Sequence, residues 1–273
     1  MKFNQINLYN EMSQNFIEYA VSVNSDRAIP DATTGLKPVA KRILWGAWDS
    51  GYTSSKAHVK CAKVVGDVMG NWHPHGDSSI YGALVRLAQP WAMRYPLMDI
   101  HGNLGTQDGD GPASMRYTES RLTKMVEDGM LKYLKQNAVE YMPNYDETQQ
   151  EPVNLPSIFP NLLCNPNTGI GVAMACNWAS HNLREVAQAI YDYMDGKEPM
   201  LPGPDFPTGG MILGRSGIRQ AYETGRGSII LRSKCEIEEM DNGKKRIIVT
   251  EIPYQVNKAV LVEKIASLVR EKV

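Results

Sequence analysis

Two short apolar periodicities separated by a single turn constrain this chain more than any other feature. Val59, Ala62, Val65 and Met69 fall at helical spacing, as do Ile80, Leu84, Leu87 and Ala88, and only GNWHPHG (70–76) lies between the two runs. The pattern predicts a helix over 58–69, a tight turn, and a second helix over 77–89 that Asp77 or Ser78 would cap and Pro90 would stop. Helices joined this way form a helix-turn-helix, a geometry that reads DNA in some proteins and only packs in many others. Beyond it, YPLMDIHGN predicts a strand, TQDGDGPAS a mobile glycine-rich loop and TESRLTKMVEDGMLKYL a further helix. A strand, a loop and a second strand behind a helix-turn-helix would make a winged helix.

At 273 residues, 42% of them hydrophobic, the chain exceeds the roughly 100–200 residues of one domain, so two domains are expected. Leu8, Met12, Phe16, Tyr19, Ala20 and Val23 predict a helix over 8–23, and Pro38 near the first turn opens another over 37–48. From about residue 138 the character changes. AVEYM, GIGVAMA and GGMILG read as strands and NLREVAQAIYDYM as an amphipathic helix. SIILRSKCEIEEMDNGKKRIIVTEI reads as a hairpin turning at Asp241-Asn242-Gly243. This predicts a second, α/β domain. The run KAVLVEKIASLVREKV is a helix still in progress at the last residue, as expected of a piece of something longer.

The formal net charge of −1 does not announce a nucleic-acid binder, so such a role must rest on a local patch. One exists between 27 and 63, where Arg27, Lys37, Lys41, Arg42, Lys56, Lys60 and Lys63 face only Asp31 and Asp49. If they converge they would neutralise phosphates; otherwise they are a solvated helix face. The cysteines, Cys61, Cys164, Cys176 and Cys235, form no C-x-x-C pair, which argues against a zinc site and a disulfide framework and for reduced thiols. No apolar run reaches the roughly 18 residues of a membrane span, and the polar start is unlike a secretory signal, so a cytoplasmic location is expected.

Two stretches carry candidate chemistry. Arg116-Tyr117 follows the glycine-rich loop: a phenol there could attack a phosphodiester if a neighbouring cation helped it ionise, and Arg116 could stabilise charge on phosphoryl oxygens. In an isolated Arg-Tyr pair the tyrosine more often only packs on the wing with its hydroxyl hydrogen-bonded. In HPHGDS, His73 and His75 flank the stiffening Pro74, and Asp77-Ser78 open a helix whose N–H groups suit an anion. No third ligand stands nearby, and His58, His101 and His181 are remote in sequence, so no resident metal is expected; the imidazoles fit phosphate donors or proton shuttles better.

With those stretches in view, the sequence resembles the A-type subunits of bacterial type IIA topoisomerases, DNA gyrase and topoisomerase IV. The matching pieces run in order over almost the whole chain: RAIPD (27–31), GLKPV-x-KR (35–42), KVVGDVMG (63–70), HPHGDSS (73–79), RLAQP (86–90), HGNLG (101–105), MRYTESRL (115–122), PNLL (160–163), GIGVAMA (169–175), HNL (181–183), GPDFPTGG (203–210), GRG (225–227) and EIPYQVNK (251–258).

The resemblance implies an α+β chain with a helical arm (1–26), a winged-helix cleavage domain (27–137) and an incomplete α/β tower (138–273). It implies that Tyr117 is the nucleophile and that Arg116, Arg27, Arg42, His73 and His75 bind or polarise DNA phosphates near the cut. Lys37 would be a further phosphate contact and Ile170 an apolar wedge between base steps. Lys41, Lys60, Lys63 and Ser78 complete the expected DNA-facing set. The resemblance further implies two partners, duplex DNA and a B-type TOPRIM/ATPase subunit, in an A2B2 assembly. Mg2+ and ATP would come through the B-type partner, with no cofactor held here. Some positions depart from the family pattern: Thr33-Thr34 replaces Arg-Asp, Ala40-Lys41 replaces a histidine-containing pair, and Gly82 stands where relatives carry an acid that contacts quinolones. The residues alone leave two other readings, a winged-helix binder without chemistry and an inactive relative.

Overall fold

The computed structural model describes residues 7–272; the first six residues of the expected arm and Val273 lie outside them. Helix α1 spans Leu8–Val23, capped by the Asn7 side chain, which accepts hydrogen bonds from the Tyr9 and Asn10 N–H groups. It runs into one turn of π-helix, Asn24–Ala28. Helix α2 is Pro38–Asp49, with Pro38 in the first turn where its missing N–H costs nothing. Between them the Asp31 carboxylate accepts from the Thr33 and Thr34 N–H groups. Gly35 turns the chain at φ 64°, with any Cβ there running into the Leu162 backbone.

The paired helices form with shifted ends. Val59–Lys60 is a strand, β1, because it pairs with a later strand, so helix α3 starts at Cys61 and ends at Asn71. Helix α4, Asp77–Arg86, stops short of Gln89 and is preceded by Gly76 without a side-chain cap; Asp77 instead accepts from the adjacent Ser78 N–H at 2.7 Å. β2 is Met98–His101 and β3 is Glu119–Leu122, giving an antiparallel sheet in the order β1-β3-β2 with Ile100 opposite Ser120.

The single helix expected from TESRLTKMVEDGMLKYL is therefore a correction. Ser120 and Leu122 are buried while Glu119 and Arg121 are not, the period of two that a sheet imposes. A short helix follows as α5, Lys124–Val126. It then widens into a π turn, Glu127–Leu131, where the Gly129 carbonyl accepts from the Ile158 and Phe159 N–H groups. A 3-10 turn closes the segment at Leu134–Gln136.

The second half carries the hairpin β4 (Tyr141–Pro143) and β5 (Gln150–Pro152), the one-turn helix α6 (Asn161–Cys164), and the hairpin β6 (Asn167–Ile170) and β7 (Ala175–Trp178). GIGVAMA is thus not one strand but the end of β6, its turn and the start of β7, with the Gly171 N–H donating to the Met174 carbonyl at 2.8 Å. Helix α7 (Leu183–Met194), strand β8 (Met211–Ile212), helix α8 (Ser216–Thr224) and strand β9 (Leu231–Arg232) follow. The predicted hairpin is β10 (Lys234–Glu239) with β11 (Lys245–Glu251), and α9 is Lys258–Glu271. Every strand pair among the described residues is antiparallel, so the chain is α+β throughout, without the parallel strands that an α/β second half would have.

The core gathers under the paired helices: Ile43 and Leu44 of α2, Val64 and Val65 of α3, Ile80 and Leu84 of α4, and Leu97, Met98 and Leu122 beside and on the sheet are all at most 1% exposed. The same cluster continues through Met130 and Leu131 to Phe159, Cys164 and Val186, crossing residue 138 without a gap. Full burial of one such side chain is worth about 1.5–3 kcal/mol. Leu84→Ala, which opens a void where α4 meets α3, should lower unfolding free energy by about 2–5 kcal/mol in a urea titration. Val269→Ala at a site 72% exposed should change it by no more than about 0.5 kcal/mol.

Candidate functional site

A buried acid organises the basic patch. Glu151, on β5, is 0% exposed, and Arg42 of α2 meets it with two nitrogens: Nη2 at 2.7 Å from Oε1 and Nε at 3.0 Å from Oε2. A carboxylate taken wholly out of water needs such a partner. The remaining guanidinium nitrogen, Nη1, lies 3.1 Å from His73 Nδ1. A guanidinium only donates, so Nδ1 accepts and the His73 proton sits on Nε2. Burial, then the charges of His75 and Arg42, push the His73 imidazole down to about 4, so it is neutral at pH 7.

One residue before Arg42 on α2, Lys41 is buried and donates to the carbonyls of Pro152 at 2.9 Å and Val153 at 3.0 Å. It ties α2 to the chain after β5, which corrects the expectation that its ammonium faces DNA. Burial also holds its pKa below the usual lysine value, a shift that Glu151 opposes.

Arg42, His73 and His75 line one groove of about 510 Å3 with Asp26, Ile29 and Pro38. His75 is exposed and its ring lies 4.4 Å from that of His73, centre to centre. Ser78 is exposed at the start of α4, beyond the same turn. Arg27 is exposed on the π turn, with no acidic partner among the described residues.

That turn is clamped to the β6–β7 hairpin. The Asn24 side chain donates to the Val172 carbonyl at 3.0 Å and accepts from the Val172 N–H at 2.9 Å, as a neighbouring peptide would. Gly169 lies so close to the Ala28 carbonyl that a Cβ could not be added. At the end of this hairpin Ile170 is 89% exposed, and Lys37 holds its base by donating to the Thr168 carbonyl at 2.6 Å. Burial depresses the Lys37 pKa.

Tyr117 precedes β3 and is 64% exposed, so its hydroxyl is not sealed in the interior. The Arg116 guanidinium lies 4.7 Å from the centre of its ring, a cation–π contact. The neighbouring Thr118 is buried with its hydroxyl 2.8 Å from that of Tyr81 on α4, which anchors the chain at the point where Tyr117 turns outward. Tyr117 does not line the groove of Arg42, His73 and His75. Nor is the glycine-rich loop free: Asn257 donates to the Asp108 carbonyl at 2.9 Å, and Lys258 pairs with the Asp108 carboxylate at 2.9 Å. Two more expected phosphate contacts have local partners, Lys60 with Glu119 at 2.8 Å and Lys63 over the Tyr52 ring at 5.3 Å.

Sequence reasoning missed Glu151, Asn24 and Asn257. Nothing local marks Glu151 as the acid that turns inward within DETQQEP. Asn24 carries a signal only in hindsight, as a polar residue just past the apolar end of α1. His58, Asp99 and His101, distant along the chain, are brought together by the sheet.

The family model for the A subunit of DNA gyrase/topoisomerase IV matches residues 27–273. The chain is 53% identical over 274 residues to the DNA gyrase A subunit of Clostridium acetobutylicum, covering 98% of this chain and 33% of the relative. It is 52% identical over 274 residues to that of Streptococcus pneumoniae, covering 98% and 33%. Against that of Staphylococcus epidermidis it is 51% identical over 278 residues, covering 99% and 31%. The chain therefore spans about a third of the length of these relatives. No helix among the described residues is long and apolar enough to cross a membrane.

The depressed His73 predicts a pH dependence of stability. An unfolded imidazole takes its proton near 6.5, whereas the folded one resists until about 4. Between those values the unfolded state binds more protons, so stability is full above about pH 6.5 and falls as the pH drops towards 4. Urea midpoints should fall less steeply over this window in His73→Asn than in the parent; identical slopes would contradict the assignment.

Proposed function

Because the chain belongs to the family of DNA gyrase and topoisomerase IV A subunits, we propose that it is the DNA cleavage and rejoining part of a type IIA topoisomerase. The observation that carries this reading is the exposed Tyr117 side chain with the Arg116 guanidinium over its ring, and a cation-bearing groove elsewhere on the same chain. In this reading α3, α4 and the three-stranded sheet are a winged helix, and the segments after residue 138 begin the tower.

The Tyr117 oxygen attacks a backbone phosphorus, forming a phosphotyrosyl bond to the 5′ side while the bond to the 3′ oxygen breaks. The phenolic proton leaves the nucleophile, and the departing 3′ oxygen gains one. One phosphodiester replaces another, so rejoining needs no energy source. Arg116 and the Nε2–H of His73 donate to the non-bridging oxygens, where charge gathers as the phosphorus becomes five-coordinate. Arg42, held by Glu151 and His73, positions that imidazole, while Arg27 and Lys37 neutralise flanking phosphates. Since Tyr117 lies outside the groove, it meets the groove of a neighbouring copy, which accords with the self-associated A2B2 assembly. Ile170, exposed at a hairpin end, enters between base steps and bends the duplex, at an unstacking cost of about a few kcal/mol.

In this reading a B-type partner brings Mg2+ and ATP. The cluster of His58, Asp99 and His101 has the wrong donors for Mg2+, which prefers oxygen.

With a B-type partner, Mg2+ and duplex DNA, the protein should form a covalent adduct that denaturant does not dissociate, and Tyr117→Phe should abolish it. Equal adduct from the Phe variant would show that another group is the nucleophile. Ile170→Ala should still bind DNA but give a smaller bend by energy transfer between end labels, and an unchanged bend would remove the wedge.

A further inference from the structure

The outward face of the three-stranded sheet carries a second chemical cluster, away from the groove and unused by the proposed reaction. His58, just before β1, reaches over to β2, where Asp99 and His101 point to the same side. One ligand atom from each of the three lies within 4.8 Å of the others. The rings of His58 and His101 stack with centres 3.6 Å apart.

The informative atom is His58 Nε2. The side chain is only 7% exposed, and Nε2 lies 3.0 Å from Asp99 Oδ2, within ion-pair reach but off the line of a good hydrogen bond, so the nitrogen already faces the carboxylate with its bonding capacity poorly used. A buried ring nitrogen rarely goes unused. Asp99 Oδ2 also accepts from Arg121 Nε at 2.8 Å. Asp99 Oδ1 takes no side-chain donor among the described residues.

We infer that His58, Asp99 and His101 form a binding site for a zinc-class divalent cation. Two imidazoles and a carboxylate are the donor set that zinc, cobalt and nickel take, whereas Mg2+ and Ca2+ favour all-oxygen shells. Three protein ligands leave a fourth position for water. Tetrahedral zinc holds its ligand atoms about 3.3 Å apart. The cluster reaches this when the stack opens and the His101 ring turns edge-on to the ion. His101 is exposed and free to make that turn, while buried His58 and salt-bridged Asp99 supply the fixed side. The Arg121 charge opposes the ion and keeps its affinity moderate. A bound ion would tie β2 to the chain entering β1 across β3, the strand that follows Tyr117.

Cobalt titration followed by visible absorption tests the site. Co2+ should bind at one equivalent with the d–d bands of four- or five-coordination, without a thiolate charge-transfer band, and Zn2+ should bleach them while Mg2+ does not. His101→Gln, a surface change whose circular dichroism should match the parent, should weaken Co2+ binding by at least about tenfold, as should His58→Gln. The double variant His73→Asn/His75→Asn should keep the bands. Bands unchanged in His101→Gln, bands lost in the His73/His75 variant, or no stoichiometric Co2+ binding would overturn the site.

Discussion

A carboxylate with no access to water is the constraint around which the candidate site is built. Glu151 is paired by Arg42, and the pairing fixes the guanidinium plane so that its third nitrogen meets His73. Removing one member of such a pair leaves a buried charge and costs about 3–5 kcal/mol, although the pair itself contributes little net stability. Its product is orientation. Arg42 can only donate, so His73 keeps its proton on the far nitrogen, ready to donate to an anion in the groove. Lys41, one residue earlier on α2, reinforces the same junction through two carbonyls.

A second junction has similar logic without charge. Asn24 holds Val172 with a two-bond amide pairing, and Gly169 lets the π turn approach closely. Arg27 and Ile170 are therefore carried by one rigid unit. In the proposed function this links the residue that meets a phosphate to the residue that bends the duplex, so bending and alignment at the cut proceed together.

Much of the fold is legible in the sequence. Where one helix face is apolar and local signals stop it, as in 8–23, 37–48 and 182–194, the expected helix coincides with α1 and comes within a residue of α2 and α7. The hairpin around Asp241-Asn242-Gly243 is marked by its turn chemistry, with Gly243 at φ 74°. The failures share a cause, in that a distant segment decides the local structure. TESRL is a strand only because β1 and β2 flank it, and the following helix widens at Gly129 to bond with residues 158 and 159. At the site, Tyr117, Arg116, His73 and His75 stand out through motif resemblance, which periodicity and spacing alone do not supply. The basic patch is smaller than its sequence suggests, because Glu151 and Glu119 pair with Arg42 and Lys60 from far along the chain. Distance along the chain likewise hides the meeting of His58 with Asp99 and His101.

The proton position on His73 tests the central claim most directly. Long-range proton–nitrogen correlation spectra of the imidazole at pH 7 should show a neutral ring with hydrogen on Nε2 and a bare, hydrogen-bonded Nδ1. A ring protonated at Nδ1, or a charged imidazolium, would mean that Arg42 does not donate to it and that Glu151 does not organise the groove.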